Sequence, residues 1–203
     1  LEAIAATIPT ISSNQTAMSD FKFLNDYLFD PNSKSEFEEK ALANQNNLFN
    51  NGEIPSLGQG PITIVEFFDY NCPYCRQAGK TVQELIGSDP NIRIIFQEWP
   101  VLGEGSIFAA RAALASRAQG KYEEFHWALM NGEGRATEAS ILKVARDLGL
   151  DIVKLLADME SPAVEIHLER SNDLARSLGF TGTPAFIVGD QTVPGMINLE
   201  QIE

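Results

Sequence analysis

The chain has 203 residues, of which 44% are hydrophobic and 21% charged, and a formal net charge of −13. This is the composition of a folded globular protein, so a disordered or low-complexity chain is excluded, and the length allows one sizeable core plus an appendage. The acidic balance argues against nucleic acid or an anionic membrane surface as partner, and no apolar stretch is long enough to insert across a bilayer.

Residues 1 to about 20 are mostly small or polar and read as a lead-in without an element. Residue 1 is not Met, and no charged-then-apolar leader precedes the fold, so a processed or trimmed chain is expected. Ser19 is placed to cap a helix from Asp20 to about Phe29, ended by Pro31. Ser33 or Ser35 opens a second helix to about Phe49, with Asn50-Asn51-Gly52 as its stop. Phe21, Phe23, Leu24, Leu28, Phe37, Leu42, Leu48 and Phe49 are too apolar to leave in water, yet two short helices cannot enclose a core. They must dock on the rest of the chain or on a second copy. Pro55 to Pro61, with Gly58 and Gly60, reads as a spacer and favours a dimerisation arm over residues 20–50.

Ile62 to Phe68 is an almost unbroken β-branched and aromatic run, the pattern of a strand covered on both faces. It breaks at Asp69–Asn71 and delivers Cys72-Pro73-Tyr74-Cys75 to the start of a helix, with Pro73 at its first position and Asn71 as cap. The first sulfur then sits near unpaired backbone N–H groups and the positive end of the helix dipole, which favours the reactive thiolate. Arg76 and Lys80 are expected to push the same way. A helix start is an edge of a fold, so Cys72 is expected to be exposed. A purely structural disulfide would close a tiny loop and gain little. Zinc lacks ligands, since the only other candidates are His126 and His167. A redox-active dithiol is the reading that fits.

Beyond Cys75 a helix runs to about Gly87, and Asn91 to Phe96 forms a second buried strand, giving a right-handed parallel crossover. The next strand-like segment is Ala185 to Val188. Between them lie helical patterns over Ser106–Ala118, Tyr122–Met130, Ile141–Leu148, Ile152–Met159 and Ala163–Leu178, read as a helical subdomain inserted at about 101–179. His126 and His167 fall among apolar neighbours and read as satisfied core histidines. Gly179 ends the last long helix, Gly189-Asp190 signals a hairpin into Gln191–Val193, and Asn198 opens a closing helix cut short at Glu203, where a continuation of the natural protein is expected.

A CxxC at a strand-to-helix junction and a later Gly182-Thr183-Pro184-Ala185-Phe186 together resemble the thioredoxin superfamily, and the helical insertion is similar to that of the DsbA family. Val65 to Cys75 matches that family's Glu-Phe-Phe-x-x-x-Cys-x-x-Cys pattern, and the amino-terminal arm resembles the oligomeric ScsC-type members. The implied fold is α/β and thioredoxin-like, with an arm at 1–58 and a domain at 59–203 carrying the insertion. The resemblance implies a cis Pro184, and a Thr183 backbone that pairs with a substrate strand beside Pro73 and Tyr74. It makes Cys72 the nucleophile, Cys75 the resolving thiol and Glu66 a buried acid that moves the proton of Cys75. A Glu66 facing solvent is the plainer alternative. Tyr74 stands where the best-known members carry a histidine, so Cys72 should be less acidic than theirs, whose value is about 3.5.

The implied activity is that of a periplasmic thiol-disulfide oxidoreductase, exported with its signal peptide removed and needing no cofactor. It would act on cysteines of folding proteins as oxidase and, through a dimeric arm, as isomerase. Its implied partners are protein substrates, a membrane or soluble redox partner and a second copy of itself. Two other classes remain open: a dithiol that captures copper(I), for which thiolates are suitable ligands, and a peptide-binding chaperone with an idle dithiol.

Overall fold

A computed structural model describes residues 36–44, 48–49, 54–188 and 191–195. The helix expected over residues 20–29, the hairpin residues 189–190 and the closing helix from Asn198 lie outside the described residues. The described strands are β1 (Ser56–Gly58), β2 (Ile62–Phe68), β3 (Ile92–Glu98), β4 (Ala185–Val188) and β5 (Gln191–Pro194). They form one sheet in the order β1-β3-β2-β4-β5. The helices are α1 (Glu36–Ala43), α2 (Pro73–Ser88), α3 (Glu104–Ser116), α4 (Tyr122–Met130), α5 (Glu138–Asp147), α6 (Ile152–Met159) and α7 (Pro162–Ser177), with a 3₁₀ turn at Arg117–Gln119.

The parallel pair β2–β3 is joined by α2, with Glu66 opposite Phe96 and Phe68 opposite Glu98. β4 returns antiparallel on the other side of β2, and β1 pairs antiparallel with β3. Alternate strand residues feed two layers. Ile64, Phe68, Ile94, Phe96 and Phe186 pack with Ala78, Val82 and Leu85 of α2 and with Phe125, Leu129, Ile141 and Leu155 of the insertion. Val65, Phe67, Ile95 and Ile187 face the other way, onto Trp99, Leu174, Ala175 and Leu178. Both faces are covered, and this accounts for the unbroken apolar run of β2. The five inserted helices α3 to α7 stand between β3 and β4 in the chain, within the limits the periodicity indicates. The thioredoxin-like fold with an inserted helical subdomain is therefore present.

Three expectations are corrected. Pro55 to Gly58 is no spacer: the Pro55 carbonyl accepts from Phe96 N–H at 2.9 Å, and β1 is an edge strand of the sheet. Gly60 lies so close to the neighbouring chain that a Cβ there would fall 1.8 Å from the Asn91 carbonyl carbon, so its glycine serves a close approach rather than flexibility. Ala41, Leu48 and Phe49 are buried against Val65, Phe67 and Trp99. That end of the expected arm docks on its own domain, and the boundary at 58/59 cuts through packed structure. Finally, β3 runs two residues past Phe96, to Glu98, because the Glu98 side chain is buried and hydrogen-bonded.

Candidate active site

Cys72 is itself the N-cap of α2, with extended backbone and its Sγ accepting from Cys75 N–H at 3.4 Å; Pro73 follows within the first turn, where its missing N–H leaves nothing unpaired. Asn71, expected as the cap, does other work. Its Oδ1 accepts from Ala136 N–H at 2.7 Å, and its Nδ2 donates to the Ala136 carbonyl at 3.1 Å and to Ser106 Oγ at 3.2 Å. It ties the motif to the insertion. The Asp69 carboxylate closes the same turn, accepting from Asn71 N–H at 2.7 Å and from the N–H groups of Val101 and Leu102 at 2.8 and 2.9 Å.

Cys72 and Cys75 are both free thiols. Cys75 is fully buried; Cys72 is only 4% exposed, which corrects the expectation of an open sulfur. The Thr183 carbonyl lies 3.2 Å over the Cys72 sulfur, and the Thr183–Pro184 peptide is cis. Thr183 is half-buried and Pro184 buried, whereas Pro73 and Tyr74 are exposed, Tyr74 by 63%. The structure thus sets the cis Thr183–Pro184 peptide against the Cys72 sulfur, with Cys75 buried behind it and Pro73 and Tyr74 exposed at the helix start.

The two sulfurs are driven apart in acidity. Hydrogen bonding from the Cys75 thiol is the largest influence on Cys72; Thr183 and the backbone N–H groups of Cys75 and Tyr74 act with it against burial, lowering Cys72 to about 6. The Thr183 carbonyl can accept only from the neutral thiol, so the thiolate is held by the Cys75 thiol, the Thr183 side chain and the helix N–H groups. Cys75 is pushed up, first by burial and then by its bond to Cys72. Arg76 does not contribute as expected: its Nε donates to the Tyr70 carbonyl at 2.7 Å, and its Nη1 to the carbonyls of Gly132 and Gly134 at 2.8 and 2.5 Å. Its charge is spent on holding the 132–134 loop. Lys80 is exposed, and the leading influences on Cys72 are Cys75, burial, Thr183 and Tyr74.

Glu66 is wholly buried, and neither carboxylate oxygen has a hydrogen-bond partner. Burial, and then the charge of Cys72, raise it to about 8, so it is a neutral acid at pH 7. The solvent-facing alternative is excluded.

A second buried acid escaped sequence reasoning. Glu98 Oε1 accepts from Tyr70 Oη at 2.9 Å and from Tyr122 Oη at 3.0 Å, and Tyr70 Oη also meets His126 Nδ1 at 3.0 Å. Its signal was the alternation Ile92, Ile94, Phe96, which places residue 98 on the same inward face. His126 is fully buried, packed on Phe68 and Phe96, and lowered to about 3 by burial, but its Nε2 has no partner. His167 is half-buried with Nε2 likewise unpaired, and burial, then Arg117 and Arg170, lower it to about 4. His126 is the core histidine expected, satisfied through Nδ1 alone, whereas His167 is only half-buried.

With this geometry in view, the comparisons with known proteins agree. A family model described as DSBA-like thioredoxin domain matches residues 63–203. A thioredoxin-like oxidoreductase from Silicibacter pomeroyi is 55% identical and superposes with a TM-score of 0.75 over 77% of this chain and 92% of its own. The catalytic domain of Proteus mirabilis ScsC is 27% identical, with a TM-score of 0.75 over 81% of this chain and 93% of its own. The Na(+)/H(+) antiporter NhaA 1 of Salinispora arenicola is 31% identical over 146 residues, 71% of this chain. The chain spans only 22% of that protein's length. Among the described residues no helix is long and apolar enough to cross a membrane. The chain belongs to the DSBA-like thioredoxin domain family.

Proposed function

We propose that the chain is a periplasmic protein disulfide oxidoreductase that forms disulfides in exported proteins through the Cys72–Cys75 pair, and isomerises them when paired with a second copy through its amino-terminal arm. The observation that carries the reading is the split between the sulfurs: one at the helix N-cap and acidic at about 6, the other buried and pushed up. Thiol-disulfide exchange needs such a division, since the thiolate attacks and the partner thiol resolves. In the oxidising direction a substrate thiolate attacks Cys72 of the disulfide, Cys75 leaves and takes a proton from Glu66, and a second substrate thiol releases the mixed disulfide. The Thr183 backbone, Pro184, Pro73 and Tyr74 would receive the substrate strand. A Cys72 value between the about 3.5 and about 7 of known oxidases and reductases supports an oxidant of intermediate strength.

The test is refolding of reduced and of scrambled ribonuclease by the full chain, by Cys72→Ala and by residues 36–203. Both activities in the full chain, oxidation alone without the arm and neither without Cys72 are the expected pattern. Repair of scrambled ribonuclease that survives arm removal would sink the dimeric isomerase; oxidation that survives Cys72→Ala would sink the whole reading.

A further inference from the structure

Glu98 lies two residues beyond Phe96, the register partner of Glu66, so both glutamates project from the same face of the β2–β3 pair. Strand rise and spacing put their Cα atoms roughly 8 Å apart, within reach of two long side chains. Both carboxyls are buried, and three of their four oxygens (both of Glu66 and Oε2 of Glu98) have no hydrogen-bond partner. The fourth, Glu98 Oε1, accepts both tyrosine hydroxyls. Its lone pairs are occupied, so any proton on Glu98 sits on Oε2, the free oxygen. The two acids are therefore unequal. As a carboxylate Glu98 keeps two O–H donors, whereas ionised Glu66 has none and faces the charge of Cys72. Burial, with Asp69 and Glu66 behind it, nevertheless outweighs those donors and raises Glu98, so it too holds its proton at rest.

We propose that Glu98 is the proton reserve of Glu66: a positioning residue that returns a proton to the Glu66 carboxylate once Glu66 has protonated Cys75. This rests on the oxidoreductase reading above. When the Cys72–Cys75 bond is broken by a substrate thiolate, Cys75 departs as thiolate, and the Glu66 carboxylic acid gives it a proton. Glu98 then passes its Oε2 proton to the Glu66 carboxylate. The negative charge comes to rest on Glu98, stabilised by Tyr70 and Tyr122 and removed from the Cys72 side. When Cys75 attacks instead, its proton travels the same way in reverse. Each step moves one proton between two oxygens or between oxygen and sulfur, so charge is conserved. The titratable groups set against Glu98 include Glu66, Asp69, Tyr70, Tyr122 and neutral His126, and the Arg117 charge acts on Tyr122 from beyond them. Glu66 and Glu98 are electrostatically coupled, as carboxyls in one buried layer must be.

The test is single-turnover exchange of the full chain with a cysteine peptide, acid-trapping the mixed disulfide from pH 5 to 9. Cys72 thiolate absorbance is followed alongside. Glu98→Gln keeps an oxygen for both tyrosines and removes only the transferable proton. The expected result is a roughly tenfold slower Cys75 step with an altered pH profile and an unmoved Cys72 titration, and no further slowing when Glu98→Gln is added to Glu66→Gln. A native rate and profile in Glu98→Gln would overturn the proposal, as would a full additional loss on top of Glu66→Gln, which marks a merely structural role. Should Glu98→Gln not fold, Tyr122→Phe removes one donor from Oε1; slowing of the same step supports the proposal and a native profile overturns it. If the native chain forms no mixed disulfide through Cys72, the oxidoreductase reading itself has failed, an outcome distinct from the loss of Glu98's role alone.

Discussion

At the scale of single residues, Cys72 and Glu66 make opposite contributions to stability as pH rises. Cys72 is depressed from an unfolded value of 9.0 to about 6, so its stabilisation of the reduced protein is complete above pH 9 and lost as pH falls through 6. Three units correspond to up to about 4 kcal/mol. Denaturant unfolding of reduced native protein and of Cys72→Ala should diverge by this order between pH 6 and 9, and thiolate absorbance should titrate near 6. Glu66 is raised from 4.5 to about 8, so the stability of its neutral form is intact below pH 4.5 and lost as pH rises through 8. Glu66→Gln should therefore become more stable than native by up to about 5 kcal/mol across that window, while its Cys75 step slows. Calorimetry of the reduced proteins at pH 5 and 8 checks the sign; a gap that does not widen with pH would remove the buried-acid account.

At the scale of elements, the site depends on joints between the sheet motif and the insertion. Asn71 holds Ala136 by two hydrogen bonds and Ser106 by a third. Asn71→Ala would strand the Ala136 N–H and cost about 1–3 kcal/mol. Arg76 braces the neighbouring 132–134 loop. Faster proteolysis at residues 131–137 in Asn71→Ala, with Cys72 still titrating near 6, is the expected outcome. The insertion itself is held by apolar packing: Phe125 is fully buried among strand and helix side chains, and Phe125→Ala is expected to cost about 3–5 kcal/mol in denaturant unfolding.

At the scale of the whole molecule, part of the amino-terminal region belongs to the packed domain. Leu48 and Phe49 are buried on the sheet face that carries Val65 and Phe67. Removing residues 1–53 would uncover that face and forfeit about 1.5–3 kcal/mol for each large side chain lost. Under the proposed dimer, removing residues 1–35 is expected to abolish self-association in sedimentation while leaving thermal stability within about 1 kcal/mol of the full chain. Equal loss of stability in both truncations would mean that residues 1–35 also belong to the domain.

The sequence alone carried whatever depends on local periodicity and backbone chemistry. The apolar run Ile62–Phe68, Pro73 at a helix start and the repeats of the insertion each read correctly, because each follows from contacts within a few residues. Thr183-Pro184 was legible for another reason: two distant motifs together resembled a known family. What only the tertiary structure decided was the partner of each polar group. Arg76 turned to backbone carbonyls instead of the sulfur, Asn71 bound the insertion instead of the helix, and the supposed spacer supplied an edge strand. Glu98 lay beyond the strand end expected at Phe96, yet it is interior, and Tyr70 and Tyr122, far apart in the chain, both donate to it. Burying a carboxyl is unfavourable unless it is neutral or hydrogen-bonded, and only the folded chain determines which groups arrive to meet that need.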